Sequence, residues 1–358
     1  MAALALTACG SDNATNAPAG EAGPAESTAA AVSGTLTGAG SSAQNAAMTA
    51  WQSGFQSAQS GATVQYSPDG SGAGRDAFLA QGVQFAGSDA ALDDEEYEAS
   101  KEICGPDGAI NIPAYVSPIA VAFNLPGIES LNLDADTIAS IFRGEIKTWD
   151  DEAIASQNEG VELPDTAVTV VHRSDESGTT ENFTEYLAQA ASSVWTDEAS
   201  GEWPSAIVAE NAQGTNGVVS TTSSTEGAVT YTDASAVGDL GQVHVKVGEE
   251  YVELSSEAAA LAVEAATPIE GRSEVDMSLE LERDTEESGA YPVVLVSYHI
   301  YCSTYEDQKT VDLVKAFASY AVSEQGQQDA SESAGNAPIS ETLREQALTA
   351  IDSITVAS

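Results

Sequence analysis

Val168-Thr169-Val170-Val171-His172-Arg173-Ser174-Asp175-Glu176-Ser177-Gly178-Thr179-Thr180 decides the reading of this chain. An apolar β-branched run ends at an arginine, a polar Gly-containing turn follows, and Asn182-Phe183-Thr184-Glu185-Tyr186-Leu187 continues as an amphipathic helix. Strand, small-residue turn and helix in that order suit an oxyanion. The free N–H groups of a helix start at Ser177, Gly178 and Thr179 face outward, two hydroxyls add donors, and Arg173 adds charge in a planar fork. Taken alone, the same residues also describe an ordinary N-capped helix beside a surface arginine.

Two upstream segments repeat the arrangement. Thr37-Gly38-Ala39-Gly40-Ser41-Ser42 follows Gly34-Thr35-Leu36 and precedes a helical run through Trp51. Asp69-Gly70-Ser71-Gly72-Ala73-Gly74 follows Thr63-Val64-Gln65-Tyr66 and precedes Arg75-Asp76-Ala77-Phe78-Leu79. Both read as small-residue loops, and three loops of this kind converge naturally on one ligand. None closes with Gly-Lys-Ser/Thr, which disfavours a nucleotide P-loop. Further strands are expected at 227–231 and 292–298, and helices at 134–142, 180–190 and 308–323, an alternation that means an α/β fold. Thr215-Asn216-Gly217-Val218-Val219 reads as one more strand-to-helix turn.

These loops, together with Phe85-Ala86-Gly87-Ser88-Asp89-Ala90, Pro118-Ile119-Ala120-Val121-Ala122-Phe123-Asn124 and Ile141-Phe142-Arg143-Gly144-Glu145-Ile146-Lys147-Thr148-Trp149-Asp150, resemble the periplasmic-type phosphate-binding lipoproteins of ATP-driven phosphate uptake, the PstS family, over roughly residues 33–350. The resemblance implies a two-lobed periplasmic-binding-protein fold of type II (class II, cluster-D-like), with the ligand in the interlobe cleft and two chain crossings, around 113–120 and 291–300. Residues 33–116 and 298–358 would form one lobe and 117–297 the other. It further implies a phosphate-binding set of Ser42, Ser71, Asp89, Arg173, Ser177, Gly178 and Thr179, with Asp175 bracing Arg173. In the first loop Ser41-Ser42-Ala43 stands where the family usually has a hydroxyl residue followed by an aromatic one.

Asp89 carries a specific argument. An ionised carboxylate only accepts hydrogen bonds, so it receives the P–OH of phosphate but opposes lone pair to lone pair against a fully deprotonated anion such as sulfate. Asp89 is thus the expected selectivity filter; its plainer role would be to cap the helix through Glu95-Glu96-Tyr97. The expected partners are inorganic phosphate and the permease subunits of an ABC importer. Competing readings are a receptor for sulfate or molybdate, and a phosphate sensor or scavenger without a transporter. The charge balance, 11 Lys and Arg against 56 Asp and Glu for a net charge of −45, leaves no basic cluster for nucleic acid. An enzyme is not expected: Ser71 is out of register for a nucleophile elbow, and His172, Asp175 and Ser177 are too close in sequence to make a triad. Neither a cofactor nor a metal is expected, since His172, His244 and His299 stand isolated in β-like runs.

Ala3-Leu4-Ala5-Leu6-Thr7-Ala8-Cys9-Gly10 resembles a lipobox, with Cys9 the lipidated residue; without a basic n-region, residues 1–9 read as a signal-peptide remnant. The alternative is a chance cysteine. Residues 10–32, rich in Ala, Gly, Ser, Thr, Pro and Asn, read as a flexible tether holding the receptor at the extracytoplasmic face of the membrane. An oxidising address makes Cys104 and Cys302 a candidate disulfide, and in the family's layout both belong to the lobe that contains the N-terminus. Two buried free thiols would fit the sequence as well.

Overall fold

Strands β1 (Gly34–Gly40), β2 (Ala62–Ser67) and β3 (Phe85–Ser88) lie parallel in the order β2-β1-β3, with helices α1 (Asn45–Ala58) and α2 (Ser71–Leu79) between them in sequence. Helix α1 forms because Ala47, Met48, Trp51 and Phe55 recur on one face, and all four are buried. The structure is a computed structural model that describes residues 31–357, which pack as one body. Cys9, the lipobox and residues 10–30 of the expected tether lie outside the described residues.

Helix α3 (Asp94–Cys104) leads into β4 (Ala109–Phe123), fifteen residues buried throughout. The N-cap of α3 is Asp93, in a reciprocal capping box with Glu96, so Asp89 is released from that duty. Then follow β5 (Ser130–Leu133), α4 (Ala135–Phe142), α5 (Glu152–Ala155), β6 (Thr169–Arg173), α6 (Gly178–Ala190), β7 (Glu210–Ala212), α7 (Gly214–Ser224) and β8 (Ala228–Asp233). Strands β9 (Gly241–Val247) and β10 (Glu250–Val252), helix α8 (Ser256–Glu264) and a short hairpin of β11 (Thr267–Pro268) and β12 (Leu279–Glu280) precede β13 (Val294–Cys302). The chain ends with β14 (Thr304–Tyr305), α9 (Gln308–Val322), α10 (Glu324–Ala334), α11 (Glu341–Ser353) and β15 (Thr355–Val356).

One sheet organises the molecule, in the order β2-β1-β3-β13-β4-β8-β6-β7, with β9 joining the end of β4 and carrying β5 and β10. It is mixed: β13 runs antiparallel to β3 and β4, and β4 antiparallel to β8, while β8-β6-β7 are mutually parallel. The segments expected to cross between halves fall largely within β4 and β13, the two longest strands, which read as near-continuous apolar runs because both faces are covered. The hairpin segment 265–283 folds back on the first half of the chain: Arg272 donates to the carbonyls of Leu92 (2.8 Å) and Asp93 (3.2 Å), and Asp276 accepts from both nitrogens of Asn111 at 2.7 Å.

The first glycine-rich stretch differs from the expected loop, since Thr37 to Gly40 is strand and the turn begins at Ser41. Its glycines serve close packing: a Cβ on Gly38 would run into the Phe85 ring, and one on Gly40, at φ +143°, into the Gly87 carbonyl. Cys104 and Cys302 are joined as a disulfide between the end of α3 and the end of β13, which removes the free-thiol alternative. His299 is buried among Trp51, Phe85 and Phe317, and burial pushes its pKa down to about 3, so it is a neutral core residue.

Candidate functional site

The loops at the carboxyl ends of β1, β2 and β3 meet those after β6 and β7, the position where open α/β sheets bind ligands. Asp89 follows β3 directly and is 2% exposed. Its Oδ1 accepts from Ser297 Oγ at 2.6 Å, and its Oδ2 from Ser41 Oγ at 2.6 Å and Thr179 Oγ1 at 3.4 Å. Burial pushes this carboxyl above the ordinary range; the hydroxyls of Ser297 and Ser41, the Arg173 charge and Thr179 pull it the other way.

Arg173 ends β6 and is 3% exposed. Its Nε donates to Asp175 Oδ1 at 2.9 Å and its Nη2 to Asp175 Oδ2, which leaves Nη1 without a partner among the described residues. Burial would raise the Asp175 carboxyl, but these bonds, the Arg173 charge and the Gly214 amide (2.9 Å) outweigh it and hold it low. Asp175 therefore stays ionised and fixes the plane of the guanidinium. Ser177 is the N-cap of α6, accepting from the Thr180 amide at 3.2 Å, and the amides of Gly178 and Thr179 fall in the first turn, where a helix offers no acceptor.

The two groups of loops touch. Ser71 Oγ, on the first residue of α2, accepts from the Asp89 amide at 3.2 Å and would lie 2.8 Å from a Cβ on Gly178. The Gly72 amide donates to the Glu176 carbonyl at 3.3 Å, and Asn182 Nδ2 donates to the Asp89 carbonyl at 2.6 Å. Only glycine fits at position 70, at φ +113°, because a Cβ would sit 2.7 Å from Asp175 Oδ2. Arg75 bridges the same gap, bonding Glu96 and Glu176 at 2.8 Å each.

The structure thus gathers Ser71, Asp89, Arg173, Ser177, Gly178 and Thr179, with Asp175 behind the arginine. Ser42 sits at the edge: its Oγ pairs with Thr215 Oγ1 at 3.0 Å and accepts the Thr215 amide at 3.0 Å, beside a cavity of about 240 Å³ lined also by Pro68 and Gln213. Its neighbour Ser41 is the residue that meets Asp89. Ser41, Ser297, Asn182 and Arg75 are not among the residues expected from sequence; Ser41 lay in the quoted loop, whereas Ser297 stands in an apolar run with no motif around it. A separate cavity of about 940 Å³ between residues 268–279 and α11 shares no residue with this site. Among the described residues no group of three His, Cys, Asp or Glu side chains is placed to hold a metal, and no helix is long and apolar enough to cross a membrane.

The profile of the PBP superfamily domain matches residues 25–325. The "Phosphate-binding protein PstS 3" of Mycobacterium leprae (strain TN) is 35% identical over 356 residues, covering 98% of this chain and 95% of that protein. The protein of the same name from Mycobacterium tuberculosis (strain ATCC 25618 / H37Rv) is 35% identical over 363 residues, with the same coverage. A solved high affinity periplasmic phosphate-binding protein (PfluDING) bound with phosphate superposes with a TM-score of 0.68 at 21% identity, over 87% of this chain and 92% of that one. The phosphate binding protein from Stenotrophomonas maltophilia gives 0.66 at 19% identity, over 88% and 94%. The two solved structures share the fold, and the likeness to the mycobacterial proteins runs the length of the chain: it belongs to the PstS family of phosphate-binding proteins, within the PBP superfamily.

Proposed function

We propose that this chain is an extracytoplasmic receptor for inorganic phosphate that hands its ligand to the permease of an ABC importer. The observation that carries the reading is the buried Asp89 carboxylate set opposite donors: Arg173 Nη1 and the first-turn amides of α6 suit the phosphate oxygens, while Asp89 suits the ligand's own proton. A binding role is favoured over a reaction because His172, the nearest histidine in sequence, stacks on Trp203 and meets the Arg173 carbonyl through Nδ1. The names of the mycobacterial relatives support phosphate as the ligand. Residues 33–116 and 298–358 form one lobe of this receptor and 117–297 the other, with 265–283 strapped back onto the first. Neither lobe holds every donor, so phosphate binds the closed state more tightly and draws the population toward it. Anchorage through a lipid on Cys9 belongs to the same proposal.

Calorimetric titration of ligand-stripped protein with phosphate, sulfate and arsenate tests it. Phosphate should bind tightly and sulfate should not compete. Arg173→Ala should weaken phosphate by about 10²-fold or more, the loss of a charge-assisted contact. Asp89→Asn should narrow the gap between phosphate and sulfate. Absence of phosphate heat, with thermal stability also unmoved by phosphate, would mean that the loops serve another ligand.

A further inference from the structure

The carboxylate at the centre of the site is itself held by two hydroxyls whose placement is not incidental. A carboxylate offers about four lone-pair directions. Ser297 and Ser41 each fill one at 2.6 Å, on opposite oxygens, and Thr179 approaches a third more loosely. Ser41 is committed as a donor: its oxygen accepts the amides of Ala43 (3.1 Å) and Gln44 (3.3 Å), so its proton is left for Asp89. Ser297 comes from β13, where the register against β4 slips. Ser297 faces Tyr115 while Tyr298 faces Pro113, so Ala114 is passed over. An irregularity of this kind re-aims a side chain out of strict alternation. Ser297 is 0% exposed and Ser41 1%, so both hydroxyls meet Asp89 out of contact with bulk water.

We propose that Ser297 and Ser41 are positioning residues for anion choice: by donating to both oxygens of Asp89 they keep it an acceptor, so the site takes a tetrahedral anion that brings a proton and refuses one that does not. The proposal rests on Asp89 facing the ligand, as in the phosphate-receptor reading. Removal of either hydroxyl leaves burial less opposed and drives Asp89 toward its protonated form. A protonated acid donates, and sulfate becomes acceptable. The other groups facing Asp89 are Arg173 at the end of β6, Tyr66 on β2, Tyr115 on β4 and Asp233 at the end of β8. Burial holds both tyrosines neutral, and it pushes Asp233 up to about 6, so Asp233 is a second buried carboxyl whose titration the measurement must resolve from that of Asp89.

The test is a ¹³C NMR titration of the Asp89 carboxyl in ligand-free protein, from about pH 4 to about pH 9, in the parent and in Ser297→Ala, Ser41→Ala and Ser297→Thr. Phosphate and sulfate affinities are measured by calorimetry at the same pH values. Each Ala variant should raise the Asp89 midpoint by about one pH unit and shrink the phosphate-to-sulfate ratio about tenfold near neutrality, while Ser297→Thr restores both. Should β13 not tolerate change at 297, Ser41→Ala reports the same effect from a different element. An Asp89 midpoint unmoved in the Ala variants overturns the proposal even if phosphate affinity falls, and so does a moved midpoint with an unchanged ratio. A parent that binds no phosphate at all is a separate failure, that of the receptor reading beneath it.

Discussion

At the residue scale, Arg75, which bridges the two groups of loops, sits among several acidic side chains. This guanidinium, 6% exposed, serves Glu96 and Glu176 directly, and Glu181 lies in its field without a hydrogen bond of its own. Burial pushes Glu181 up to about 7; Arg75 opposes that, and Glu96, Glu185 and Glu176 add to it. The folded-state value stands above the ordinary 4.5, so the folded protein binds this proton more tightly than the unfolded chain. The resulting stabilisation is complete below about pH 4.5 and is lost as pH rises through about 7. Glu181→Gln, which cannot ionise, should therefore raise the thermal midpoint relative to the parent at about pH 8 and lose that advantage at about pH 5. Equal shifts at both pH values would sink the assignment. None of this is legible in the sequence, because Arg75, Glu96 and Glu176 are far apart along the chain and only folding gives one cation three acidic neighbours. The same is true of Ser41 against Ser42: two adjacent hydroxyls are chemically equivalent on paper, and the backbone at Gly40 decides which one faces Asp89.

At the scale of elements, sequence periodicity performs best where one physical pattern dominates. Helices α4, α6 and α9 lie within two residues of the spans expected from their apolar spacing, and β6, β8 and β13 carry the β-branched runs. Glycine is where the pattern misleads, since it marks turns and close approaches alike. Gly74 is a case of approach: a Cβ there would strike the backbone of Gly40, so α2 is pressed against β1 with no room for a side chain. Gly74→Ala should cost about 1–3 kcal/mol by chemical unfolding, as overpacking does, and should weaken phosphate because Ser71 rides on the displaced helix. Unchanged stability and affinity would mean that α2 can retreat freely. The turn after β6 is legible in the sequence as a candidate anion cradle, whereas the contact from β13 to Asp89 is not, because a hydroxyl inside Val293-Val294-Leu295-Val296-Ser297 acquires its direction only from the slip in pairing with β4.

For the whole molecule, the surplus of acid sets the terms. With a net charge of −45, the protein repels the anion it is proposed to bind until short-range donors take over. Salt screens the diffuse repulsion within about 10 Å at moderate strength, yet barely touches contacts inside a closed site. Stopped-flow association of phosphate should accordingly quicken, by about two- to tenfold, between about 0.05 M and about 1 M salt. A marked slowing would reveal attractive steering by a basic surface that the composition does not provide. The thermal midpoint should rise over the same range as self-repulsion is relieved.

The bond between Cys104 and Cys302 has a consequence for how this chain comes apart. The two cysteines are 198 positions apart, so the bond closes most of the polypeptide into a ring, with the N-terminal and C-terminal segments as two tails leaving from nearly the same point. A peptidase that cuts once inside the ring, for example at the exposed Val208, opens it without releasing a fragment. The nicked protein would keep its full mass on a gel until a reductant is added and then separate into two pieces. The nicked protein thus keeps both tails, the pairing of β4 with β13 and the loops around Asp89 joined in one molecule.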